Sequence, residues 1–159
     1  MDGRHDFDFI LGRWHVQNRR LDDPLDEQAS RWSEFEATSE AQPVLGGIGN
    51  VDTFYAPTSP GRPEYHGLAV RLFEAETGLW RIWWASTVGR GRLDTPLVGR
   101  FRDGIGTFEC DEVIDGRDVR LRFFWKDITE SSARWEQAFS FDGGHSFKTN
   151  WVMVFERTS

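Results

Sequence analysis

One cysteine, two methionines and no apolar run near the ~18 residues of a membrane span narrow the options before any motif is sought. Cys110 alone can form neither an internal disulfide nor a cysteine-rich zinc site, and it suits a reducing compartment as an ordinary small strand residue. The opening Met1-Asp2-Gly3-Arg4-His5-Asp6-Phe7 has no apolar stretch of the kind a secretory signal needs, so a soluble, cytoplasmic protein with no membrane partner is expected. His5, His15, His66 and His145 lack the i, i+4 or His-x-His spacing that sets two ligands on one ion, and no metal is expected. A net charge of −7 opposes a phosphate backbone, which argues against a nucleic-acid partner even though arginines recur along the chain. No Gly-x-Gly-x-x-Gly opens a helix and no P-loop lysine follows a glycine turn; Leu45-Gly46-Gly47-Ile48-Gly49 is glycine-rich only because it bends. No cofactor is expected.

What the chain has is aromatic weight: 8 Trp and 13 Phe in 159 residues, which suits half-buried pleated strands. Turn signals at Glu76-Thr77-Gly78, Arg102-Asp103-Gly104, Asp115-Gly116 and Asp142-Gly143-Gly144 separate runs rich in β-branched and aromatic residues, the pattern of successive hairpins. Strands are expected near residues 12–20, 30–40, 48–56, 65–74, 79–87, 96–102, 105–113, 117–126, 133–141 and 145–156. This leaves no room for helical crossovers. Pro57-Thr58-Ser59-Pro60-Gly61-Arg62-Pro63 is a loop, because proline cannot donate to a ladder. Residues 6–11 form a short helical turn capped by Asp6, with Phe7, Ile10 and Leu11 facing inward. The fold class is therefore all-β, one domain over 1–159: an antiparallel up-and-down barrel of about ten strands, with a sandwich as the alternative, since open edges invite aggregation.

Alternation assigns the faces. Val119, Leu121, Phe123 and Trp125 oppose Arg120, Arg122 and Lys126; Trp80, Ile82 and Trp84 oppose Arg81 and Trp83; Phe147, Trp151, Met153 and Phe155 oppose Lys148, Asn150 and Glu156. Polar residues on the apolar faces are the site candidates, since an unpaired buried polar group costs about 1–3 kcal/mol. They are Asn18 beside Trp14 and Val16, Asn50 and Asp52 with Phe54, His66 with Leu68, Val70 and Leu72, Gln137 between Trp135 and Phe139, and Thr149 between Phe147 and Trp151. Each also has a bland reading, as a partner of a neighbour, a water, a turn amide or a rim residue. Trp84, Trp125, Trp135 and Trp151 supply wall area for a ligand. If there is catalysis, Asp52 and His66 are the acid–base pair that burial would tune.

Phe7-Asp8-Phe9-Ile10-Leu11-Gly12-Arg13-Trp14 runs an apolar turn into Gly-x-Trp at the first strand, and this resembles the start of lipocalin-like (calycin) barrels. With Trp135-Glu136-Gln137-Ala138-Phe139 and Thr149-Asn150-Trp151, the chain is similar over nearly its whole length to bacterial lipocalin-like domains of unknown function. The resemblance implies a barrel with one end plugged by tryptophan, one end open and a ligand cavity between them. It also raises haem, which nitrobindin-like barrels hold through a histidine near the C-terminus, but Trp151 to Ser159 contains none and His145 lies too early. The leading expectation is a binding module for a small, mainly hydrophobic or aromatic molecule. An enzyme of the same shape, a cyclase or isomerase, and a structural domain with a packed core are the rivals. Outward aromatics such as Trp83 and Phe124 make a homodimer plausible in any of these cases.

Overall fold

In a computed structural model the strands close on themselves in sequence order, from β1 through β10 and back to β1. The structure describes residues 2–61, 63–89 and 91–159; Met1 and Arg62, which fall in the N-terminal and proline-rich segments considered above, lie outside the described residues, as does Arg90. The strands are β1 (Gly12–Leu21), β2 (Trp32–Val44), β3 (Gly49–Ala56), β4 (Tyr65–Glu74), β5 (Leu79–Ser86), β6 (Leu97–Arg102), β7 (Ile105–Ile114), β8 (Arg117–Lys126), β9 (Ser132–Ser140) and β10 (Lys148–Arg157). Among the described residues the only helical elements are 3-10 turns at Asp8–Ile10 and Leu45–Gly47. The protein is thus an all-β, lipocalin-like antiparallel barrel, and closure rather than sandwich packing removes its edges.

Local chemistry explains the meander. Asp103 and Gly104, then Asp115 and Gly116, take positive φ (53°, 80°, 50° and 77°), the left-handed pair of a two-residue hairpin whose twist matches the strands it joins. β1 and β10 complete the ring through seven paired positions, Trp14 opposite Arg157 to Arg20 opposite Trp151. One junction is short: β5 meets β6 only where Trp80, Arg81 and Ile82 face Gly99, Val98 and Leu97. Beyond it, among the described residues, a single amide, Asp94 N–H, reaches the Trp84 carbonyl at 2.7 Å.

The end where β1 begins is plugged. Phe7 and Ile10, at 1% and 0% exposure, ride the 3-10 turn into the barrel. The Phe7 ring meets Trp80 and Phe101 edge-on, each at 4.9 Å between centroids. Trp14 Nε1 donates to the Ile10 carbonyl at 2.8 Å and Trp80 Nε1 to the Gly3 carbonyl at 3.0 Å, so both indoles are satisfied by the segment they pack on. Arg157 locks the plug from the far end of the chain: its guanidinium donates to the carbonyls of Leu11 (2.6 Å), Phe9 (2.7 Å) and Glu130 (2.9 Å) and lies over the Trp14 ring. Asp6 does not cap the turn: the position before the helical residues is Phe7, with no side-chain capping bond, and Leu11 is only half-buried. The turn is held by packing and Arg157 instead.

Candidate functional site

Between the plug and the opposite end of the barrel lies a cavity of about 60 Å³. Its walls are aromatic: Trp84 from β5, Trp125 from β8, Trp135 from β9 and Trp151 from β10, with Phe54 and Phe123 between them. Trp135 stands edge-on to Trp151 at 5.5 Å and packs on Phe123 at 4.9 Å. Trp84 lies across β4 where Gly67 leaves room; a Cβ there would stand 2.3 Å from the indole ring.

The floor is charged. Arg71 and Asp52, each 5% exposed, are paired at 2.5 Å between Nη1 and Oδ2, and the same Nη1 donates to Asn50 Oδ1 at 2.8 Å. β3 and β4 build this by register: Asn50 faces Arg71 directly, while Asp52 faces Ala69, one inward position further along. The guanidinium rests over the plug, 5.2 Å from the Phe7 ring centroid and 5.8 Å from that of Trp125. Arg71 Nε is enclosed without an acceptor among the described residues.

Of the residues singled out from the sequence, Asp52, Trp84, Trp125, Trp135, Gln137 and Trp151 line this cavity, and Asn50 stands behind it in the Arg71 network. Asn18 is fully buried but serves the wall rather than the space: its Oδ1 accepts from Trp151 Nε1 at 3.0 Å and its Nδ2 donates to the Val16 carbonyl at 3.3 Å. Two candidates are displaced. His66 is on the outer face, with half its side chain exposed, stacked 4.8 Å from Tyr55 and 3.7 Å from Glu64. The acid–base pair of Asp52 and His66 is therefore not assembled. Thr149 pairs with Ala138, between the inward Gln137 and Phe139 of β9, and does not line the cavity.

Both displacements have one-residue causes. On β4 the inward set is Tyr65, Gly67, Ala69, Arg71 and Phe73, and the greasier Leu68, Val70 and Leu72 face out. The inner positions are small because Trp84 covers them, facing Ala69 in register. On β10 the register slips between Thr149 and Trp151, a bulge that makes Asn150 the extra residue and inverts the alternation before it. Phe147 consequently sits outside under the Arg122 guanidinium, 3.8 Å away, and Asn150, expected outside, is 1% exposed and accepts from Gln137 Nε2 at 2.9 Å. Arg71, the most consequential residue of the floor, was missed for the same reason as His66 was chosen. A usable signal existed in Gly67 and Ala69, whose small side chains leave space for a large neighbour.

Burial, then Glu112 and Asp111, push the Cys110 thiol up to about 12, so it is no nucleophile. Burial, then Glu112, raises Asp94 beside the β5–β6 junction. No cluster of metal-binding side chains occurs among the described residues, and no described helix is long and apolar enough to cross a membrane.

Comparison with known proteins defines the fold and stops there. No family model and no curated protein matches the chain. Among solved structures it is similar to the S-type phycobiliprotein lyase CPES from Guillardia theta, with a TM-score of 0.60 and 11% identity over 100% of this chain and 94% of the lyase. At that identity the likeness is one of architecture, and the two chains share a barrel of the same extent.

Proposed function

We propose that this protein binds a small, mainly apolar or aromatic molecule inside its barrel. The observation that carries the reading is the combination of an aromatic-walled cavity with an Arg71–Asp52 pair buried at its floor. A packed structural core has no reason to keep both, because a buried ion pair rarely stabilises a fold more than apolar side chains of the same volume do. Ligand sites have this composition: apolar walls for affinity and a few convergent polar groups for orientation. At about 60 Å³ the cavity admits only a small molecule, which makes single-ring aromatics the upper limit for first probes. That a phycobiliprotein lyase has the same architecture supports a barrel that can be put to work on a small molecule.

The test is a calorimetric titration with a panel of one-ring aromatics, on the native chain and on Ala69→Phe. Ala69 faces the cavity beneath Trp84 and is 2% exposed, so the larger ring and the Trp84 indole it displaces take up the space, and an unchanged far-UV circular dichroism spectrum shows that the variant is folded. Saturable one-to-one binding that Ala69→Phe abolishes is the expected result. Binding that survives the filled cavity would place the ligand elsewhere and defeat the reading.

A further inference from the structure

Every acceptor of the Arg71 guanidinium falls on one nitrogen. Asp52 Oδ2 and Asn50 Oδ1 both lie against Nη1, while Nε is buried with no acceptor among the described residues. The side chain is 94% buried, lines the cavity and rests on the aromatic plug, so bulk water does not substitute for the missing partner. Buried donors of this kind are normally satisfied, by protein, water or ligand. We infer that the ligand carries a neutral carbonyl-type acceptor at its buried end, held by the free edge of Arg71, with its apolar body lying among Trp84, Trp135 and Trp151. This rests on the binding function proposed above and specifies what is bound.

Charge decides between a carbonyl and a carboxylate. Arg71 is already matched by Asp52 at 2.5 Å, so the floor is electrically balanced before anything enters. A ligand carboxylate would set a second anion beside Asp52 with one guanidinium between them, in surroundings of low dielectric where like charges are costly. A cation would meet the same objection from Arg71. A ketone, aldehyde, ester or amide oxygen accepts the hydrogen bond without adding charge.

Three probes of nearly the same planar shape separate the terms: α-methylstyrene (C=CH2), acetophenone (C=O) and benzoate (CO2−). Their affinities are to be measured by titration calorimetry for the native chain and for Arg71→Met combined with Asp52→Asn. The paired substitution leaves no orphaned charge, and the new amide can donate to the Asn50 oxygen that loses Arg71. Arg71→Lys, which keeps an ion pair with Asp52 but lacks the second guanidinium edge, is the companion should the double variant fold poorly. The expected result is that acetophenone loses about ten-fold or more in affinity on either replacement, as for loss of a hydrogen bond to a charged group. α-Methylstyrene should change by less than about three-fold, and benzoate should bind the native chain more weakly than acetophenone. Equal losses for acetophenone and α-methylstyrene, or benzoate as the tightest of the three, would overturn the carbonyl assignment while leaving binding intact. If none of the three binds the native chain, the binding function falls and takes this inference with it.

Discussion

The two ends of the barrel are built from the same aromatic residues and behave as different materials. At the plugged end, Trp14 and Trp80 give their indole N–H groups to carbonyls of the N-terminal segment, and Phe7 fills the space between rings at 4.9 Å. At the other end, Trp151 gives its N–H to a side chain, Asn18, and Trp84 and Trp135 flank open volume. The loop after β1 is tied to this end by Lys148, whose ammonium donates to the carbonyls of Glu27 (2.9 Å) and Ala29 (2.6 Å), and by Arg117, which donates to the Leu25 carbonyl (2.7 Å). Aromatic content alone therefore does not separate stopper from container; Trp14 and Trp80 are tied to backbone carbonyls, whereas Trp151 is tied to a side chain.

The sharpest way to break this comparison is to truncate one tryptophan from each end. Trp14→Ala should cost about 3–5 kcal/mol in urea denaturation, the usual loss for a fully packed aromatic. Trp135→Ala only enlarges a space that already exists, and its cost should be lower by about 1 kcal/mol or more while binding of one-ring probes is lost. Equal costs would mean the two ends are packed alike. Next in size, Gly67→Ala brings a methyl within 2.3 Å of Trp84 and should cost about 1–3 kcal/mol as overpacking, with Trp84 displaced into the cavity and ligand affinity reduced. Gln137→Leu removes the donor to Asn150 Oδ1, and about 1 kcal/mol of stability should go with it. An unchanged urea midpoint would show that the pair does not hold the bulge.

The smallest effect concerns pH, at the turn between β9 and β10. Hydrogen bonds from the Ser146 hydroxyl and amide and the Ser140 hydroxyl hold the Asp142 carboxyl below its ordinary 3.8. A depressed folded-state pKa adds stability that is present above 3.8 and lost as pH falls below it toward the folded value. Urea midpoints of the native chain should therefore drop more steeply below about pH 4 than those of Asp142→Asn. Parallel acid limbs would assign the loss to other carboxylates.

The sequence was most legible where turn chemistry and period-two alternation agree. The Asp-Gly hairpins fixed β6, β7 and β8 to within a residue or two, and the inward set Val119, Leu121, Phe123 and Trp125 lies where alternation put it. It was least legible where a neighbouring side chain rewrites the rule. On β4 the apolar face is the outer one, because Trp84 needs Gly67 and Ala69 beneath it, and the smallness of those two residues is the sign the strand itself gives of a tryptophan from the next strand. On β10 a single extra residue inverts the faces of Phe147, Lys148 and Thr149, and alternation carries no marker for a bulge. Asp52 and Asn50 were found as polar residues on a greasy face; Arg71, their partner, was hidden on the face taken to be solvated.

The short β5–β6 junction is the barrel's most thinly paired seam. Most of the wall is stitched by long ladders, but past Trp80 to Ile82 the seam is held by the Asp94–Trp84 bond, and Trp84 is itself a wall of the cavity. Parting the barrel there breaks far fewer bonds than unfolding any strand, so amide exchange at this seam should outpace that of the β1–β10 ladder. On the binding function proposed above, the residence time of a bound molecule is expected to follow the opening of this seam rather than the barrel's global stability.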